Sequence, residues 1–162
     1  MRVLKHVFPP SARRLFPGDS LQRITQAIAQ SELRHTGEIC FAVEPGLHPR
    51  AVFAGATARD RAHEVFAQLR VWDTQANNGV LLYLLLADHR IEIVADRGFA
   101  DRVSDEQWRG VCQLIEERLR AGAAEAGVLA GVEAMSEILV RHFPRDDGTH
   151  DSNELPDLPY IL

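Results

Sequence analysis

Basic residues are in short supply: 18 Lys and Arg stand against 23 Asp and Glu, giving a formal charge of −5 and a pI near 5.8. Phosphate contacts dominate nucleic-acid affinity, so this balance argues against a nucleic-acid partner. Cysteine is scarcer still. Cys40 and Cys112 each sit inside an apolar pattern with no second cysteine nearby, which reads as two buried reduced thiols rather than a disulfide or a metal site. The longest uninterrupted apolar run, Val80 to Ala87, is far shorter than the ~18 residues a membrane span requires. Pro9 and Pro10 interrupt the start of the chain before an apolar signal region can develop. These absences lead to the expectation of a cytoplasmic protein that is not integral to a membrane.

Catalytic signatures are missing too. The chain holds no HExxH, GxSxG, P-loop or CxxC, and its seven histidines share no metal-ligand spacing. What is present is ordinary globular composition, 46% hydrophobic and 25% charged over 162 residues, which suits one domain.

Residues 1–18 read as a basic arm carrying Arg2, Lys5, Arg13 and Arg14, with three prolines and no acid before Asp19. A solvated terminal segment and a contact with anionic lipid or a partner both fit that pattern. A helix is expected from Asp19 or Ser20, the candidate caps, to about Arg34, and a strand over Glu38 to Glu44. Residues 45–56 read as a loop with a short element near Val52 and Phe53. Thr57 with Asp60 opens a second helix, and Ser104 with Gln107 a third that stops at Gly122. The last helix runs from Ala124 to His142, ended by Pro144.

Val80 to Leu86 is apolar at every position, as befits a strand covered on both faces. Ala87-Asp88-His89 turns it back into Arg90 to Ala95, a hairpin. The order predicts a three-layer α/β/α sandwich: a small mixed central sheet with helices on both faces, over residues 19–144. The helical crossover makes the first two strands parallel and right-handed. An acidic tail, 145–162, ends in an apolar clip from Leu158 to Leu162 that docks on the body or on a partner.

Antiparallel pairing then brings Asn77-Asn78 and Asp96-Arg97-Gly98 to one edge of the sheet, the candidate site. The ligand or partner edge comprises Trp72, Asp73, Thr74, Asn77, Asn78 and Arg97. Asp73, Asn78, Asp96 and Asp101 supply oxygens suited to Ca²⁺ or Mg²⁺. Tight turns demand the same Asn, Gly and Asp residues, so a purely structural role stands beside the metal one. Trp72 is either a buried anchor or an exposed recognition residue, and Arg59, Arg61, Arg70 and Arg97 clamp an anion only if they converge.

The segment NNGVLLYLLLADHRIEIVADRG resembles the TPM domain family, known from a plant thylakoid lumen protein, a photosystem II repair factor, a nematode receptor modulator and many bacterial proteins. HTGEI (His35 to Ile39), RDRA (Arg59 to Ala62), LRVWDT (Leu69 to Thr74), NNGV (Asn77 to Val80), ADRG (Ala95 to Gly98) and NELPD (Asn153 to Asp157) are similar to a short bacterial branch without transmembrane helices. The resemblance implies the α/β/α sandwich and two biochemistries, divalent-cation binding beside the sheet edge and an acid phosphatase activity. It also implies, by association, a membrane-anchored LemA-type partner. Where many relatives carry Gly-aromatic-Gly-Leu-Glu, this chain reads Asp96-Arg97-Gly98-Phe99-Ala100, losing a Glu and gaining an arginine beside the crevice. The leading expectation is therefore a non-catalytic binding or accessory module reading a partner or small ligand at the edge formed by Trp72 to Asn78 and Asp96 to Asp101. The alternative is a metal-assisted phosphatase.

Overall fold

In a computed structural model, which describes residues 1–146, 148 and 153–162, the sheet order is β3-β2-β1-β4. β1 (Glu38–Glu44) and β2 (Gly79–Leu85) are parallel, with Glu38 opposite Gly79, and β2 pairs antiparallel with β3 (Arg90–Ala95), Val80 opposite Ala95. The mixed sheet and hairpin are as the apolar pattern predicts. β4 (Tyr160–Ile161) lies parallel to β1 against Ala42 and Val43, so the apolar clip docks on the body.

The pleat divides the apolar residues between two cores. Ile39, Phe41 and Val43 of β1 face α3 (Gly18–Glu32), α6 (Asp105–Arg120) and α7 (Ala124–His142), whose Ile28, Ile115, Val132 and Met135 are buried against them. Cys40 and Ala42 face the other way, toward α4 (Pro49–Phe53) and α5 (Ala58–Gln68). Helices thus cover both faces. The Thr57–Asp60 and Ser104–Gln107 capping boxes start α5 and α6, and Gly122, at φ +77°, follows α6. α3 differs from expectation. Its N-cap is Pro17, two residues before Asp19, with no side-chain cap; Ser20 is buried and Asp19 is paired with Arg23.

The arm is more than a solvated segment. It forms α1 (Arg2–Val7) and α2 (Ala12–Leu15), and Phe16 is fully buried, packed edge-on against Phe41. The Asp88 carboxylate in the hairpin turn takes hydrogen bonds from Arg2 at 2.7 Å and from His6 Nε2 at 3.0 Å. Leu47 N–H donates to His6 Nδ1 at 2.9 Å, which fixes the Nε2–H tautomer. Burial works against the Asp88 charge, yet these bonds hold its carboxyl below the usual range. Asp147 and Asp151 of the acidic tail lie outside the described residues.

Candidate functional site

The N-terminal ends of β1 and β2 and the C-terminal end of β3 share one edge, where most of the short motifs converge. Two glycines make the approach possible. A Cβ on Gly79 would lie 2.0 Å from the Val71 carbonyl oxygen, and one on Gly98 would lie 2.4 Å from that of Asn77. Asn77 adopts φ +52°, as a turn residue there must, and Gly98 N–H donates to its carbonyl. Asn78 is buried: its Nδ2 donates to Thr36 O at 3.0 Å and its N–H to Thr74 Oγ1 at 3.1 Å. Asp96 Oδ1 accepts the Arg97 N–H at 2.8 Å and so caps a short 3-10 turn, Arg97–Phe99.

The four residues read as metal ligands are not gathered as a set. Asp73 is exposed and held by Arg70 at 2.7 Å, because the turn from Arg70 to Asp73 closes that pair locally. Asp101 is exposed in the turn before α6. Only Asn78 Oδ1 and Asp96 Oδ2 remain as buried oxygens without a hydrogen-bond donor. Among the described residues, the acids whose oxygens lie within 4.8 Å of one another are instead Glu32, Glu38 and Asp157.

That trio is assembled from the end of α3, the start of β1 and the returning C-terminal segment. Glu38 Oε1 accepts Glu154 N–H at 2.9 Å, Glu154 Oε2 accepts Gln75 N–H at 2.9 Å, and Leu155 is buried. Burial first, then the neighbouring Glu38, push the Glu32 carboxyl up to about 9, so it is protonated at neutral pH. NELPD is thus part of this end of the molecule. Its similarity to the family was the signal; nothing in its spacing reveals that it folds back over β1.

Trp72 is exposed rather than a buried anchor, with the Arg70 guanidinium 5.5 Å from its ring centre. The arginines divide. Arg61 locks onto Glu44, which also accepts the Tyr83 hydroxyl at 2.6 Å, at the far end of the sheet. Arg59 and Arg97 instead line a groove of about 590 Å³ between the outer edge of β3 and α6, joined by Arg90 and Arg109, which sequence reasoning missed. Its apolar floor includes Ile93, Phe99 and Trp108.

Charge along the groove is unevenly satisfied. Of the carboxylates lining it, Glu92 pairs with Arg59 and Glu116 with Arg120 from outside the groove, and Asp96 and Asp105 make no ion pair among the described residues. Arg90, Arg97 and Arg109 have no carboxylate within 4.0 Å among the described residues. The β3 edge itself is covered at its middle, where Arg59 donates to Ile93 O. The middle of the strand is thus not free to pair with an added strand.

A family profile described as the TPM domain matches residues 12–138. The solution structure of BA42 protein from the psychrophilic bacterium Bizionia argentinensis is 28% identical, with a TM-score of 0.79 over 91% of this chain and 95% of that one. The N-terminal domain of a protein from P. gingivalis, 18% identical, shares the fold at a TM-score of 0.62 over 82% of this chain and 83% of that one. No curated protein matches. Among the described residues, no helix is long and apolar enough to cross a membrane.

Proposed function

The chain belongs to the TPM domain family, and on that premise we propose that it is a non-catalytic binding module for an anionic ligand in the groove between β3 and α6. The observation that carries this reading is the presence of three arginines, Arg90, Arg97 and Arg109, lining one groove without carboxylate partners among the described residues. Guanidinium forks match carboxylate and phosphate oxygens, and three guanidinium groups not engaged in ion pairs can turn to an anion although Asp96 and Asp105 also line the groove. Arg97 opens the groove at the Asp96–Gly98 turn, the polar edge where a ligand is expected from the sequence. A membrane-anchored LemA-type partner fits an accessory module of this kind, and two buried free thiols suit a cytoplasmic setting.

The rival reading is a Ca²⁺- or Mg²⁺-assisted phosphatase. Its support is the pair of buried acceptor oxygens, Asn78 Oδ1 and Asp96 Oδ2. Hard cations need more oxygens than two, and with Asp73 held by Arg70 and Asp101 exposed the residues do not fit such an ion as a set. No catalytic step follows from them.

Thermal-shift titration with inorganic phosphate, pyrophosphate and citrate tests the module, since a ligand of the native state raises its melting point with concentration. A shift lost in the Arg97→Gln/Arg109→Gln double variant is the expected result. A shift with Ca²⁺ or Mg²⁺ alone, or turnover of a phosphate ester abolished in Asp96→Asn, would replace the module by the enzyme.

A further inference from the structure

A second surface lies at the opposite end of the sheet from the Asn78–Asp96 edge and adjoins the groove at Arg90. α1 turns Val3 inward, buries His6 and binds Asp88 through Arg2. Its other face is apolar and open. Met1, Leu4 and Phe8 recur at helical spacing beside Val7, and Leu4 is 52% and Phe8 76% exposed. Scattered apolar residues on a surface are ordinary, but a short latched helix with its outward face made of them reverses the usual polarity.

Cationic side chains follow this stripe in sequence. Lys5, Arg13 and Arg14 are exposed and have no carboxylate partner among the described residues. No acid precedes Asp19, although the chain as a whole carries a charge of −5. The hairpin turn that anchors α1 through Asp88 continues into His89 and Arg90. With Pro10, Leu15, Leu86 and Leu119, these two residues line a mostly apolar recess of about 200 Å³. Exposed apolar groups, unpaired cations and an apolar recess thus occupy one end.

We propose that this end is a peripheral docking surface for a bilayer of anionic lipid. Leu4, Val7 and Phe8 enter the boundary between headgroups and acyl chains, while Lys5, Arg13 and Arg14 face the lipid phosphates. Charge decides against a second copy of the chain as the occupant. A two-fold interface sets the same patch against itself, so these cations would meet one another, whereas an anionic membrane complements them. Apolar insertion and juxtamembrane cations act together in such binding, and the charged share weakens with salt.

Co-sedimentation of the full chain with vesicles of equal parts phosphatidylglycerol and phosphatidylcholine, and with phosphatidylcholine alone, tests this. Binding to the anionic vesicles and not to the neutral ones is expected, weakening as salt rises. The Leu4→Ser/Phe8→Ser and Lys5→Gln/Arg13→Gln/Arg14→Gln variants should each bind about tenfold less. Their circular dichroism and melting should be unchanged, because the altered side chains are exposed. Failure to sediment with anionic vesicles overturns the proposal. So does undiminished binding by both variants, or a concentration-dependent dimer in solution that Leu4→Ser/Phe8→Ser abolishes.

Discussion

The carboxyl of Glu32, the last residue of α3, accepts the backbone N–H of Ile39 at 2.9 Å. A side chain from the helix therefore satisfies a strand amide beyond the reach of β4, which pairs only with Ala42 and Val43. Burial, then Glu38, raise this carboxyl from the ordinary 4.5 to about 9. Between those values the native state holds a proton that the unfolded chain releases, so this contribution is fully present below pH 4.5 and declines as pH rises toward 9. Urea midpoints should fall across that window, and Glu32→Gln, which keeps the acceptor, should flatten the decline. Glu32→Ala should cost about 1–3 kcal/mol by stranding the Ile39 N–H.

His35 slopes the other way. It is fully buried and its Nδ1–H donates to Gly37 O at 3.0 Å, while burial lowers its pKa from 6.5 to about 4. The unfolded chain takes up the proton first, so this stability is present above pH 6.5 and is lost as pH falls toward 4. Between pH 4.5 and 6.5 the two groups oppose each other. His35→Leu should unmask the Glu32 slope there, seen as midpoints that decline from pH 4.5 upward.

Gly79→Ala and Gly98→Ala press a methyl group onto the Val71 and Asn77 carbonyl oxygens, which belong to backbone and cannot swing aside. Overpacking of this kind costs about 1–3 kcal/mol or more. Gly98→Ala should also weaken anion binding in the groove, because the turn carrying Arg97 must shift. Chemical denaturation and the phosphate titration measure the two effects separately.

Phe16→Ala should cost about 3–5 kcal/mol, as for other buried aromatics. The side chain is fully buried and packs edge-on against Phe41, with ring centres 5.7 Å apart. A loss of that size in the denaturation midpoint would mark residues 12–16 as part of the core rather than an appended arm.

Periodicity made the sheet legible. Val80 to Leu86, apolar throughout, and the alternation of Arg90 to Ile93 specify a central strand and its hairpin partner, and both capping boxes form as their spacing predicts. The edge that unites Asn78 with Asp96 followed from pairing alone. The rest depended on tertiary returns that leave no periodic trace: Glu154 folding back onto Glu38, Phe16 reaching Phe41, and Arg109 lining the same groove as Arg97. Asp73 looked like a ligand only because its local partner, Arg70, was not read as one.

At the outer side of β3, the Arg59 guanidinium occupies the carbonyl of Ile93. A strand that offers its edge to solvent is a template on which a neighbouring molecule can add its own, and repeated addition builds fibrils. Here a growing stack would first have to strip a guanidinium from the middle of the strand. The arginine that lines the groove therefore also acts as a guard against polymerisation, so Arg59→Ala would leave the fold intact while exposing the chain to association through its sheet.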